Sequence, residues 1–200
     1  LQHPGRVGWG QAAGGLEVTE KTVAGGSLNV QVENNGGVTF GRVIYAEGDV
    51  TANINAGDIT VGKKIKSKAG SIDILTKDGN ILIGDNGPDV ETVAAYVDVK
   101  LTAESGIIEV YGKTSAETGD VTLLAANDEY MAGNTGQSII IDQNGEVAAG
   151  HDATLISENG DIHVSDKVTA GNSFNSETRG QGNIIVDKDI TVAKDISMKT

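Results

Sequence analysis

The chain has 200 residues, of which 38% are hydrophobic and only 4% aromatic, so its core must be filled by Val, Ile, Leu and Ala. Its net charge of −13 disfavours nucleic acid or an anionic membrane as a partner and favours solubility. The absence of cysteine excludes disulfides and thiolate metal sites, and no apolar run approaches the roughly 20 residues of a membrane span.

The first segment, residues 1–15, shows no strand pattern. It contains five glycines, Trp9 and the first of the two prolines. We predict that this segment is a lead-in, cap or linker. A single β-solenoid domain is then expected over residues 16–200.

Residues 48–84 contain two units that superpose when one is shifted by 22 residues. The shift places Val50 on Ile72 and Ile59 on Ile81, and it also aligns the glycines that precede these strands. Each unit holds two short runs of alternating polar and apolar residues, which is the pattern of a strand with one face buried. A fixed period of this length indicates one turn of a solenoid. We therefore predict an all-β fold, a parallel β-helix or β-solenoid with turns of about 22 residues.

Two columns of apolar residues continue this repeat along the chain. The first reads Leu28, Val50, Ile72, Val99, Val121, Val147, Val168 and Ile190, and the second reads Val38, Ile59, Ile81, Ile108, Ile139, Ile162 and Ile184. Departures from the period predict corner insertions near residues 84–92 and 126–136, because added residues at corners leave stacked strands undisturbed.

Acidic and amide residues follow the glycine that opens many strands, and turn preference accounts for them without a function. The first insertion gathers more oxygen ligands than the other turns. Its residues Asp85, Asn86, Asp89 and Glu91 are a weak candidate for a hard-cation site, so a calcium-stabilised solenoid is one alternative. No other cofactor is expected.

Four lysines form a basic patch on the acidic chain. Lys63, Lys64, Lys66 and Lys68 lie close together, and strand alternation places the last three on one face around Ile65. Such a patch could contact a sulfated glycan or an acidic surface. Lysines also solubilise a sheet face and discourage edge pairing, so both interpretations stay open.

The sequence suggests no catalytic residues. His163 is predicted to point outward between Ile162 and Val164, and no histidine has a partner at helical metal-ligand spacing. Cleavage of a polysaccharide would need paired carboxylates on neighbouring turns, or basic residues that neutralise an acidic sugar. The three arginines are far apart in sequence. We therefore expect no enzyme, and a carbohydrate-active β-helix is the alternative.

The recurring strands GDVTA, GDITV, GSIDI, GNILI, GDVTL, GDIHV and GNIIV resemble the haemagglutinin repeats of filamentous-haemagglutinin-like exoproteins. The resemblance covers residues 28–200 loosely. It implies a right-handed β-helix from the stalk of a protein that two-partner secretion exports. The amino-terminal secretion domain of that family is not visible in these residues.

This resemblance implies a non-enzymatic structural rod of a secreted or bacterial cell-surface adhesin or filament. The expected partners are a glycan or protein on a host or neighbouring cell. Copies that stack end to end through open strand edges are a variant of the same expectation.

Overall fold

A computed structural model describes residues 2–3, 7–9, 14–84, 92–126 and 136–200. Within these ranges the chain forms three parallel sheets stacked as a β-solenoid of about 8 turns, with roughly 22 residues per turn. The predicted fold class and repeat length are therefore confirmed. No helix long and apolar enough to cross a bilayer occurs among the described residues.

Each full turn contributes one strand to each of three sheets, which we name A, B and C. Sheet A contains β1 (Gln2–His3), β4 (Thr22–Ala24), β7 (Ile44–Ala46), β10 (Ile65–Ser67), β13 (Thr92–Ala95), β16 (Lys113–Ala116), β19 (Glu146–Ala149), β22 (Val168–Ala170) and β25 (Ile190–Val192). Sheet B contains β2 (Val7–Trp9), β5 (Leu28–Asn35), β8 (Val50–Ala56), β11 (Ile72–Thr76), β14 (Val99–Ala103), β17 (Val121–Ala125), β20 (Ala153–Ser157), β23 (Phe174–Thr178) and β26 (Ile196–Lys199). Sheet C contains β3 (Leu16–Val18), β6 (Val38–Phe40), β9 (Ile59–Val61), β12 (Ile81–Ile83), β15 (Ile108–Val110), β18 (Gln137–Ile141), β21 (Asp161–Val164) and β24 (Ile184–Val186).

The strands are short because the chain turns a corner after every few residues. From β3 onward the order along the chain is sheet C, sheet A, sheet B, and each strand that is not at the end of its sheet pairs with the strand three positions earlier and the strand three positions later. Glycine permits some of the sharpest corners. At Gly57, between β8 and β9, φ is +116°, a backbone conformation that side-chain-bearing residues rarely adopt.

The interior is filled by in-register columns of aliphatic side chains. In sheet C the register joins Val38, Ile59, Ile81, Ile108, Ile139, Ile162 and Ile184. This is the second predicted column, and it is confirmed throughout. Its members from Val38 to Ile162 are fully buried, whereas Ile184, in the last turn, is partly exposed. Burial of the stacked aliphatic surface is the main stabilising term of such a fold.

The first predicted column is correct only as far as Val121. In sheet B, Val121 pairs with Ala153, and the column continues through Phe174 and Ile196. Val147 belongs instead to sheet A, as do the two residues predicted to follow it in the column, Val168 and Ile190. The correct step from Val121 is 32 residues, because the turn that contains the second insertion is longer than predicted.

A third strand per turn was not predicted. These strands form sheet A. In the repeat at residues 48–84 the sheet A strand is β10, where Ile65 and Ser67 are buried and Lys66 points outward. With only three residues and lysines on both sides, this strand has a weak hydrophobic pattern. Its pairing with β7 and β13 identifies it.

The predicted segment boundaries fall partly on undescribed residues. Within residues 1–15, the backbone of β1 pairs with β4 and that of β2 pairs with β5, so sheets A and B extend into this segment. The two predicted insertions, 84–92 and 126–136, lie mostly outside the described residues. The register between β11 and β14, and between β17 and β20, is unbroken on either side of them.

Candidate functional site

Acidic residues at the corners form ladders of hydrogen bonds between turns. At the corner from sheet A to sheet B, a carboxylate oxygen accepts the backbone N–H at the equivalent position of the next turn. The pairs are Asp49 with Ser71 at 2.9 Å, Asp98 with Asp120 at 2.8 Å, Asp120 with Asp152 at 2.9 Å and Asp152 with Ser173 at 2.9 Å. These corner residues therefore connect successive turns as well as favouring the bend.

A similar ladder lies at the corner from sheet B to sheet C. There Asp58 accepts the N–H of Asn80 at 2.8 Å, and the Asn80 side chain accepts that of Ile107 at 2.9 Å. Glycines leave room for the side chains of both ladders: a Cβ added at Gly70 would overlap the carboxylate of Asp49 in the first ladder, and one at Gly106 would lie 2.8 Å from the side-chain oxygen of Asn80 in the second. The glycine of one turn and the acid of the preceding turn are thus one structural unit.

The predicted basic patch lies along β10 and the corner before it. Lys64 and Lys66 are partly exposed and Lys68 is exposed, while Ile65 between them is buried. Lys68 forms an ion pair with Glu47 of the preceding turn. Lys63 also belongs to the patch and makes an interaction of its own. The three predicted outward lysines do point outward, but the charge of Lys68 is partly neutralised.

A shallow depression of about 610 Å³ adjoins this patch on the outer face of sheet A. Its floor is low because the outward positions of three adjacent strands carry Ala94, Ser115 and Ala148. Lys66, Lys68, Tyr96, Lys113 and Glu117 surround the floor. Tyr96 is 42% exposed, and Lys113 forms a 2.9 Å ion pair with Glu146. We name these eight lining residues the sheet A depression.

His163 points outward from β21, as predicted. Its Nε2 lies 2.7 Å from Asp187 Oδ2 and 3.1 Å from Ser165 Oγ, and its Nδ1 lies 2.7 Å from Gln137 Nε2. A serine–histidine–carboxylate relay needs the serine and the carboxylate on opposite ring nitrogens. Here both face Nε2, so the arrangement is a surface hydrogen-bond group without the geometry of an activated nucleophile.

The structure also assembles a group that sequence reasoning missed. His151 Nδ1 lies 3.0 Å from Asp120 Oδ1 and 3.2 Å from Asp152 Oδ2. Asp120 lies one turn before the other two residues, at the corner from sheet A to sheet B. Hydrogen bonds from Asn172 and from the Ser173 backbone, together with the nearby His151, lower the pKa of Asp152 despite an opposing contribution from burial. A 32-residue shift that aligns Gly119-Asp120 with His151-Asp152 would have been the sequence signal.

Two further ion pairs join successive turns, Glu177 with Lys199 and Glu158 with Arg179. Glu177 accepts hydrogen bonds from Lys199 at 2.7 Å and Arg179 at 3.2 Å, and these bonds lower its pKa. Arg179 also reaches Glu158 of the preceding turn at 2.7 Å, and its pKa is raised by these two partners. Burial, followed by the negative charge of Glu109, raises the pKa of Tyr111. The weak calcium candidate formed by Asp85, Asn86, Asp89 and Glu91 lies outside the described residues.

Comparison of the chain with protein-family models, with curated proteins and with solved structures finds no match.

Proposed function

We propose that this chain is a non-enzymatic structural rod of a secreted or bacterial cell-surface adhesin or filament. The observation that supports this proposal is the continuity of stacking: parallel strand pairing continues from turn to turn in all three sheets, with local register shifts between Val32 and Asn35 and between Gln137 and Ile139. A turn adds about 4.8 Å, so about 8 turns make a body roughly 40 Å long whose interior is a continuous aliphatic core. Such a body can hold a distal group at a fixed distance.

Two measurements test this proposal. Small-angle scattering and negative-stain microscopy of the chain should give a straight particle of about 40 Å, which lengthens by about 4.8 Å for each duplicated turn. Duplication of residues 50–71 supplies the extra turn. A particle whose length does not change would contradict the rod. For location, protease treatment of intact source cells should remove the protein, and a protein found only inside the cells would contradict surface exposure.

A filament of end-to-end copies is the assembled form of this proposal. It rests on β26, where Ile196 is 51% and Met198 46% exposed although both lie in register with residues of β23, so any further turn stacked on this edge, of the same chain or of a second copy, would bury them. A second copy that docked there would bury this apolar edge and pair its strand. Sedimentation should then show concentration-dependent assembly that Ile196→Lys abolishes, with the exposed Asp195→Lys as the control. Assembly at equal strength in the two variants would contradict docking at this edge.

Carbohydrate binding is the second candidate, favoured by the sheet A depression. Three lysines and a half-exposed tyrosine stand around a floor of small side chains, which suits a sugar ring that carries sulfate or carboxylate groups. We expect binding to sulfated glycans on an array, weakened by Lys66→Glu and unaffected by Lys188→Glu on the far part of the rod. Equal losses in both variants would indicate only general charge attraction. Release of new reducing ends would favour cleavage over binding.

A further inference from the structure

We propose that Asp120, His151 and Asp152 bind a divalent transition-metal ion that links two successive turns of the solenoid. The three donor atoms, one from each side chain, all lie within 4.8 Å of one another. An imidazole with two carboxylates is a donor set that suits zinc, copper or nickel better than calcium or magnesium, which prefer oxygen ligands alone.

The spacing of the donor atoms agrees with the size of such an ion. Zinc lies about 2.0–2.2 Å from nitrogen and oxygen ligands, so neighbouring donors in a tetrahedral site stand about 3.3 Å apart. The distances from His151 Nδ1 to the two carboxylates are 3.0 and 3.2 Å. These two distances need only a few tenths of an ångström of expansion to admit the ion, the two carboxylate oxygens lie within 4.8 Å of each other, and water would take the remaining position. The side chains of His151 and Asp120 are 58% and 50% exposed, which leaves a path for entry.

Hydrogen bonds already orient both carboxylates. Asp152 Oδ1 accepts bonds from Asn172 Nδ2 at 2.7 Å and from the Ser173 N–H at 2.9 Å, while Oδ2 is directed at His151. Asp120 is held by the Asp152 N–H at 2.9 Å. Such outer contacts commonly fix the ligands of protein metal sites. The same ladder places Asp98 one turn before Asp120. Three successive turns therefore carry a corner carboxylate, and a cation would offset their negative charge.

The position of this group suggests what the ion would do. Asp120 precedes β17 and the other two ligands precede β20, so the ion would close the segment that carries the insertion at residues 126–136. Cross-links that close long segments remove more freedom from the unfolded chain than those that close short ones. An ion that binds only the folded chain also raises its stability by mass action.

Zinc titration followed by calorimetry and by imidazole NMR tests this proposal, because the chain contains only three histidines. We expect one zinc ion per chain and a shift of the His151 signals alone. The substitution His151→Ala should weaken binding at least about tenfold, since even outer contacts of metal sites are worth that much. The matched control, His3→Ala combined with His163→Ala, should bind like the wild type.

A second variant distinguishes loss of a metal ligand from loss of the fold. Asp120→Asn keeps an oxygen that can accept the Asp152 N–H but removes a charged ligand, so it should retain the circular dichroism spectrum and lose affinity. Zinc should also raise the Tm of the wild type and not that of His151→Ala. Absence of saturable binding by the wild type would overturn the proposal, as would equal binding by His151→Ala or loss of binding in the control.

Discussion

Replacement of Thr114 by valine should stabilise this protein. Thr114 lies in β16, is fully buried, and stacks in register between Val93 and Val147. Its hydroxyl finds no hydrogen-bond partner in the described part of the chain. A buried hydroxyl without a partner costs about 1–3 kcal/mol, and valine has nearly the same shape, so we expect the free energy of unfolding to rise by about 1–2 kcal/mol.

The same substitution at Thr76 provides the matched comparison. Thr76 is also fully buried, but its Oγ1 donates to the Gly57 carbonyl at 2.9 Å. Thr76→Val should therefore lower the free energy of unfolding by about 0.5–1.5 kcal/mol. Urea unfolding followed by circular dichroism measures both changes, provided that the slope with urea is unchanged. Changes of the same sign in the two variants would refute the reasoning.

Three further predictions concern the core, the corners and the surface charges. Ile139→Ala removes three buried carbons, worth about 0.8 kcal/mol each, and leaves a cavity, so it should lower the free energy of unfolding by about 3–4 kcal/mol. Ile140 points outward, and Ile140→Ala should lower it by less than about 1 kcal/mol. Equal losses of the two variants in urea unfolding would contradict the strand orientation. Gly70→Ala should lower the free energy of unfolding, measured with urea, by about 1–3 kcal/mol because the added Cβ would overlap the neighbouring turn. At Gly62 the added Cβ would lie 3.8 Å from its nearest neighbour, Phe40 O, so Gly62→Ala should change that free energy by less than about 0.5 kcal/mol. The pKa of the Glu177 carboxyl lies below its ordinary value of 4.5, so its ion pairs contribute stability at neutral pH that is lost as the pH falls through the folded-state pKa. The urea midpoints of the wild type and of Glu177→Gln should therefore converge as the pH is lowered below 4.5. A difference between the two midpoints that persists in acid would contradict this account.

The sheet C column could be predicted because each of its members is a β-branched residue followed two positions later by another apolar residue. Ile59, Ile81 and Ile108 all have this form, and inward alternation of that kind survives a variable number of residues in the corners. The same alternation predicted the outward direction of His163. Local pattern was sufficient wherever a strand had two strong inward positions.

The later part of the first column could not be predicted in the same way. Val147 fits a shift of 26 residues from Val121 and has the right apolar character, but it pairs in another sheet. Spacing along the chain cannot distinguish one long insertion from an ordinary turn with a shifted start. The register that places Val121 beside Ala153, with the Val121 N–H donating to the Asp152 carbonyl at 2.9 Å, decides between them.

The sequence alone determined that this protein is a parallel β-solenoid of about 22 residues per turn with an aliphatic interior, because repetition and alternation are local properties of the chain. The tertiary structure decided that there are three sheets, that corner carboxylates hold the next turn, and that Asp120 stands beside His151. Those contacts join residues one turn apart, and the number of residues in a turn varies at its corners. Their partners are therefore set by stacking and hydrogen bonding between turns, which no fixed spacing along the chain records.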